Sequence, residues 1–229
     1  MKYPYLLFDA DGTLFDYEQA ERLALSKTLE DSGIACSRSC HLYYNQINKK
    51  LFKELEQGTI KASELKTRRF EMLFAEIGIS LDVNPFSERY LANLSQYAML
   101  LPGALDTVRS LYPKFKMYMV TNGLSRVQRP RFGRSDIRAF FIDIIISDEI
   151  GVSKPAKGFF DIAFQMIGNP DKKDVLIIGD SLSADMAGGV VFGIDTCWYN
   201  PHQANNENDL PVSYEISELR QLVDIVKSA

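Results

Sequence analysis

Four short aliphatic runs in this chain each stop at small or polar residues, and this alternation limits the possible folds more than any other feature. The runs are Tyr5 to Phe8, Met117 to Val120, Ile142 to Ile146 and Val175 to Ile178. Runs this short and this apolar suit parallel strands buried on both faces. Helical patterns lie among them at Ala104 to Leu111, Gly158 to Ile167 and Ala184 to Phe192, the last closed by Gly193. Strands alternating with helices predict an α/β fold with a doubly wound parallel sheet. Ligands of such sheets bind beyond the carboxyl ends of the strands. Asp9 and Asp11 follow the first run, Thr121-Asn122-Gly123 the second, and Gly179-Asp180-Ser181 the fourth. Separate segments are thus expected to deliver their polar residues to one edge.

From about Tyr17 to Leu100 the alternation stops. Helical stripes replace it, with Tyr44, Ile47, Leu51 and Leu55 in one and Phe70, Leu73, Phe74 and Ile77 in another. Gly33, Gly58 and Gly78 read as helix stops, and Asn84-Pro85 as the start of a fourth helix. The expected organisation is a core (1–16 and 101–229) interrupted by a helical-bundle insert (17–100). The chain's 229 residues suffice for a core carrying such an insert. The segment from His202 to Asp209 reads as an exposed polar loop.

The formal net charge of −4 offers no electrostatic footprint for polymeric nucleic acid or anionic lipid. A small anionic substrate would need a local positive site, such as a metal ion. The apolar stretch before Asp9 is too short for a signal peptide or a membrane span, so a cytoplasmic protein is expected. Cys36, Cys40 and Cys197 are odd in number and widely spaced, which fits a reducing compartment. Cys36, Cys40 and His41 suggest a metal site, but no second pair stands at zinc-site spacing, and the plain reading is the start of a helix.

The chain has only two histidines, His41 and His202, and neither follows an expected core strand. Acid–base work then falls to carboxylates. Asp9 and Asp11 stand two apart directly after a buried run. A carboxylate can attack phosphorus without first losing a proton, and a second one can protonate the leaving oxygen and later activate water. A calcium loop is the competing reading of Asp-Ala-Asp-Gly, but its glycine comes fourth rather than sixth and its twelfth residue is Ala20 rather than Glu. Asp180 and Asp185 are hard oxygen donors suited to Mg²⁺. The competing reading makes Asp180 or Ser181 a helix cap and Asp185 solvent-facing. Lys154, Thr121 and the Asn122 amide could bind phosphoryl oxygens.

In order and spacing, Asp9-Ala10-Asp11-Gly12-Thr13, Thr121-Asn122-Gly123, Lys154-Pro155 and Gly179-Asp180-Ser181 with Asp185 resemble the four motifs of the haloacid dehalogenase superfamily. The resemblance implies a Rossmann-like core with an inserted helical cap and Mg²⁺ as cofactor. It also implies Asp9 as nucleophile and Asp11 as general acid/base, with metal held by Asp9, the Asp11 carbonyl, Asp180 and Asp185. Thr121, Asn122 and Lys154 would bind phosphate. Dehalogenases proper lack an aspartate at the place of Asp11, so a phosphatase or phosphomutase is implied. Phosphonatase chemistry would need a cap lysine, and nothing singles out Lys49, Lys50 or Lys53. Leu55 to Ile60, Val120 to Gly123 and Gly193 to Asn200 further resemble the pyrimidine 5′-nucleotidase branch, which implies a nucleoside monophosphate as substrate. Against that branch, Pro130 and Phe132 are expected to interrupt the Gln-x-x-Arg-Leu-type helix after Gly123. The alternatives are a sugar-phosphate phosphatase or phosphomutase of the same fold and, in another class, a phospho-aspartate receiver. An insert of more than eighty residues after the first strand speaks against the receiver.

Overall fold

Successive side chains of a strand point to opposite faces, so a strand covered on both sides must be apolar at every position. The computed structural model describes residues 2–56, 59–206 and 209–228, the side chains at 53, 56, 62, 63 and 228 excepted. In it β1 (Tyr5–Phe8) leads into α1 (Tyr17–Glu30), α2 (Arg38–Glu56), α3 (Ala62–Ile77) and α4 (Val83–Leu94). Then come α5 (Ala104–Leu111), β2 (Lys116–Thr121), α6 (Ser125–Arg134), β3 (Asp143–Ile146), α7 (Ser147–Ile150) and α8 (Lys157–Met166). The chain finishes with β4 (Val175–Gly179), α9 (Ala187–Phe192), β5 (Asp195–Tyr199), β6 (Tyr214–Ile216) and α10 (Gln221–Ser228).

The strands form a six-stranded parallel sheet in the order β3-β2-β1-β4-β5-β6. The chain works outward from β1 to β3, then returns to the other side of β1 and works outward again. That reversal opens a crevice at the carboxyl ends of β1 and β4, where α/β sheets bind ligands. Leu6, Phe8, Met119 and Ile178 pack on one face with Val108, Leu111 and Leu222. Leu7, Val120 and Ile177 pack on the other with Phe159, Phe160 and Phe192. β1, β2 and β4 are therefore buried on both sides, whereas the edge strand β6 exposes Glu215.

The chain divides into two compact units, Met1–Tyr17 with Ala98–Ala229, and Glu18–Tyr97. The second is helical, with an aromatic centre in which Phe70 meets Phe86 at 5.0 Å and Tyr90 at 5.0 Å between ring centroids. Tyr44 and Phe70 are buried, while Ile77 and Leu55 end their stripes half-buried. A buried polar knot lies beside the rings, where Glu21 accepts hydrogen bonds from Tyr44, Tyr90 and Asn48.

Several expectations shift. β5 and β6 were not expected as strands, and exposed His202 falls just past β5. Ile142 lies outside β3 and is exposed, because the strand opens only at Asp143. The expected helix from Ala184 divides into a π turn, Leu182–Met186, and α9. α4 begins at Val83, just before Asn84, and is capped by Asp82, whose side chain accepts from the Asn84 amide at 3.1 Å. Gly78 closes α3 in the left-handed region (φ 68°), whereas Gly58 lies outside the described residues, as do residues 207 and 208 and the Lys53 side chain.

The clearest correction concerns Pro130. α6 runs unbroken through it to Arg134. A proline inside a helix removes one hydrogen bond and costs about 3 kcal/mol. Phe132 is buried in the sheet's core and Arg131 is wholly buried in an ion pair with Asp11, so tertiary contacts on the far side of Pro130 hold the helix together.

Candidate active site

Strand ends position the site. Asp9 extends the β1–β4 ladder by one residue, its amide donating to the Ile178 carbonyl at 2.8 Å. The chain then turns sharply, with the Leu14 and Phe15 amides both returning to the Ala10 carbonyl at 2.9 and 2.8 Å. Gly12 takes φ +85°, and a Cβ there would lie 2.5 Å from Asp180 Oδ2. Glycine is required at this turn both by backbone conformation and by the approach of that carboxylate.

Lys154 is the hub. It is 3% exposed, and its Nζ donates to Asp9 Oδ1 at 2.6 Å, Asp185 Oδ1 at 2.6 Å and the Val120 carbonyl at 2.9 Å. Asn122 fixes the lysine's own backbone, accepting from the Lys154 amide and donating to its carbonyl, each at 2.8 Å. The Asn122 side chain is thereby committed to Lys154. Thr121 ends β2 and is 2% exposed.

Ser181 fills the capping part of the plain alternative, its hydroxyl accepting from the Ala184 amide at 3.1 Å. Asp185 does not face solvent; it is 1% exposed and packs over Gly179, where a Cβ would collide with its carboxylate. Asp180 is solvent-exposed. Thr13 donates to its Oδ1 at 3.2 Å, and the Trp198 indole donates to its carbonyl at 2.9 Å.

Among the described residues, Asp9, Asp180 and Asp185 are the carboxylates close enough to share a metal ion, one oxygen of each lying within 4.8 Å of the others. Burial raises the Asp9 carboxyl well above its ordinary value; Lys154 pulls it down, and the Asp185 and Asp180 charges push it up again. Asp180 is raised to about 7 by the crowding of surrounding protein and then by Asp185, although the residue itself is open to solvent. Burial alone would lower the Lys154 ammonium, but Asp185 and Asp9 hold it above its ordinary value. Three carboxylates facing one ammonium leave an excess of negative charge and a set of hard oxygen donors. That combination fits a hard divalent cation.

The carboxylate of Asp11 lies outside this group. It is held by α6, with Arg131 Nη1 donating to Oδ1 at 2.6 Å and Gln128 Nε2 to Oδ2 at 2.5 Å. Sequence reasoning did not assign a role to Gln128 or Arg131. The signal was the Gln-x-x-Arg spacing, which puts both side chains on one helix face; the expected break at Pro130 hid it. In the helical unit Cys36 Sγ and His41 Nε2 meet at 3.3 Å, with Ser26 also on the imidazole.

A doubly wound sheet with acidic residues clustered at the switch point between β1 and β4, and a lysine among them, makes an α/β site built on carboxylates rather than on histidine. Residues 3–193 match the model of the haloacid dehalogenase-like hydrolases, and the chain belongs to that family. The HAD-hydrolase YfnB of Bacillus subtilis is 37% identical over 98% of this chain and 96% of its own. Its magnesium-bound crystal structure, which reveals interdomain movement, superposes with a TM-score of 0.94 over 99% of both chains. The pyrimidine 5′-nucleotidase PynA of Streptococcus pneumoniae is 37% identical over 98% of this chain and 95% of its own. The pyrimidine 5′-nucleotidase YjjG of Escherichia coli is 30% identical over 99% of each chain.

Proposed function

We propose that this chain is a Mg²⁺-dependent phosphomonoester hydrolase acting on a nucleoside 5′-monophosphate. The observation that carries the chemistry is the buried Lys154 bridging Asp9 and Asp185 beside Asp180. The substrate class rests on the two nucleotidase relatives. The helical unit is the cap of this reading.

Asp9 attacks phosphorus, its oxygen forming the new P–O bond as the bond to the leaving oxygen breaks. Asp11 gives its proton to that oxygen. Water then attacks the aspartyl-phosphate, passes a proton to Asp11 and releases Asp9 and inorganic phosphate. Lys154 steadies the nucleophile and, with Thr121 and the backbone amide of Asn122, offsets charge on the phosphoryl oxygens. Asp9, Asp180 and Asp185, with the Asp11 carbonyl, would hold Mg²⁺, which supplies charge neutralisation of the phosphoryl group when bound.

Phosphate release is the test, measured with Mg²⁺ on dUMP, dTMP, UMP, AMP, phosphoglycolate and glucose phosphates. Pyrimidine monophosphates should lead, and the Asp9→Asn variant should lose more than about 10⁴-fold on every ester while keeping its circular dichroism. A lead for the sugar phosphates would replace the nucleotide with the sugar-phosphate reading.

A further inference from the structure

We propose that Gln128 and Arg131 are positioning residues that aim the Asp11 carboxyl at the leaving oxygen, with Arg131 as its pivot. The inference rests on the acid/base role given to Asp11 above.

Both side chains come from α6, three residues apart on one face, and each takes a different Asp11 oxygen. Arg131 is wholly buried, while Asp11 is 22% exposed at its side chain. The guanidinium lies 4.9 Å from the Phe15 ring centroid and 5.6 Å from that of Tyr17, so aromatic faces fix it from the segment that follows Asp11. Arg131 Nη1 also reaches Gln128 Oε1 at 3.3 Å, and Gln128 Nε2 reaches Thr121 Oγ1 at 3.3 Å. The pair therefore ties Asp11 to β2 as well as to α6. Glycine at 123 makes this possible, since a Cβ there would stand 2.5 Å from Gln128 Nε2.

A carboxyl held through both oxygens cannot rotate freely, and an acid works only within hydrogen-bond reach of its acceptor. To carry a proton to the leaving group, Asp11 must give up one of the two bonds. Releasing the neutral amide costs less than giving up the bond from a buried guanidinium, which its charge strengthens. Oδ2, on Gln128, is thus the oxygen that delivers the proton, while Oδ1 stays on Arg131.

Leaving-group dependence tests this, because a phosphate ester with an acidic leaving group needs no proton donor in the first step. Values of kcat/KM would be measured on the best alkyl ester of the panel and on 2,4-dinitrophenyl phosphate. Arg131→Met should lose on the order of 100-fold on the alkyl ester and Gln128→Leu on the order of 10-fold. Both should stay within about 3-fold of wild type on the dinitrophenyl ester, and Arg131→Lys should recover part of the Arg131→Met loss. Equal losses on both esters, or none, would overturn the proposal. If Arg131→Met does not fold, the ester selectivity of Gln128→Leu decides. Activity in Asp9→Asn would instead remove the underlying reading, whatever the ester pattern.

Discussion

Lys154 stands between two carboxylates with almost no access to water, and its replacement tests what an isolated charge pair costs there. Lys154→Met would leave Asp9 and Asp185 facing each other with no ammonium between them. Removing one partner of a buried ion pair costs about 3–5 kcal/mol. Urea unfolding of metal-free protein should show a loss of that order, and Mg²⁺ should restore part of it. A midpoint unmoved by the substitution would mean that the lysine does not offset the acidic group. Most of this residue-scale arrangement was legible in the sequence: Asp9, Lys154, Asp180 and Asp185 carry charge or polarity that short strands deliver to one edge. The partners of Asp11 were not. Nothing local in Gln128 or Arg131 outweighed the proline between them, and only the buried contacts of Arg131 and Phe132 show that the helix survives.

Strand β4 ends in glycine because the turn that follows folds Asp185 back over it. Gly179→Ala would keep the strand's hydrogen bonds, since its neighbours β1 and β5 pair through backbone, but would drive the Asp185 carboxylate from its place. Isothermal titration should then show Mg²⁺ affinity weakened by about 10-fold or more, while the fold remains. Unchanged affinity would mean that Asp185 is dispensable to the metal. At this scale the first four strands, the helical insert, α5 and α8 were readable from period and punctuation, whereas α6, α7 and α10 were not. β5 and β6 were not, because Asp195–Tyr199 mixes polar and aromatic residues and β6 is only three residues long.

Across the whole molecule the acidic group links stability to pH. The crowding of surrounding protein and the Asp185 charge push the Asp180 carboxyl up to about 7 in the folded protein, against an ordinary 3.8. Between those values the folded protein keeps a proton that the unfolded chain has released. Stability from this group therefore falls as pH rises from about 4 to about 7, and Asp9, also raised, acts with the same sign. A divalent ion competes with those protons, so Mg²⁺ should raise the melting temperature more at pH 8 than at pH 5, and EDTA should abolish the difference. Equal shifts at both pH values would count against the metal assignment.

The central strand also governs how the chain meets itself during synthesis. Tyr5 pairs with Lys116 on one side and Val175 on the other. At about 5–20 residues per second, β1 waits on the order of 5–20 s for its first neighbour to be made. Within that interval all of Glu18–Tyr97 has been translated, with its own aromatic centre to close upon. The insert can fold before the strand that precedes it has found a sheet, and the bond from the Asp9 amide to Ile178 can form only after β4 has been translated.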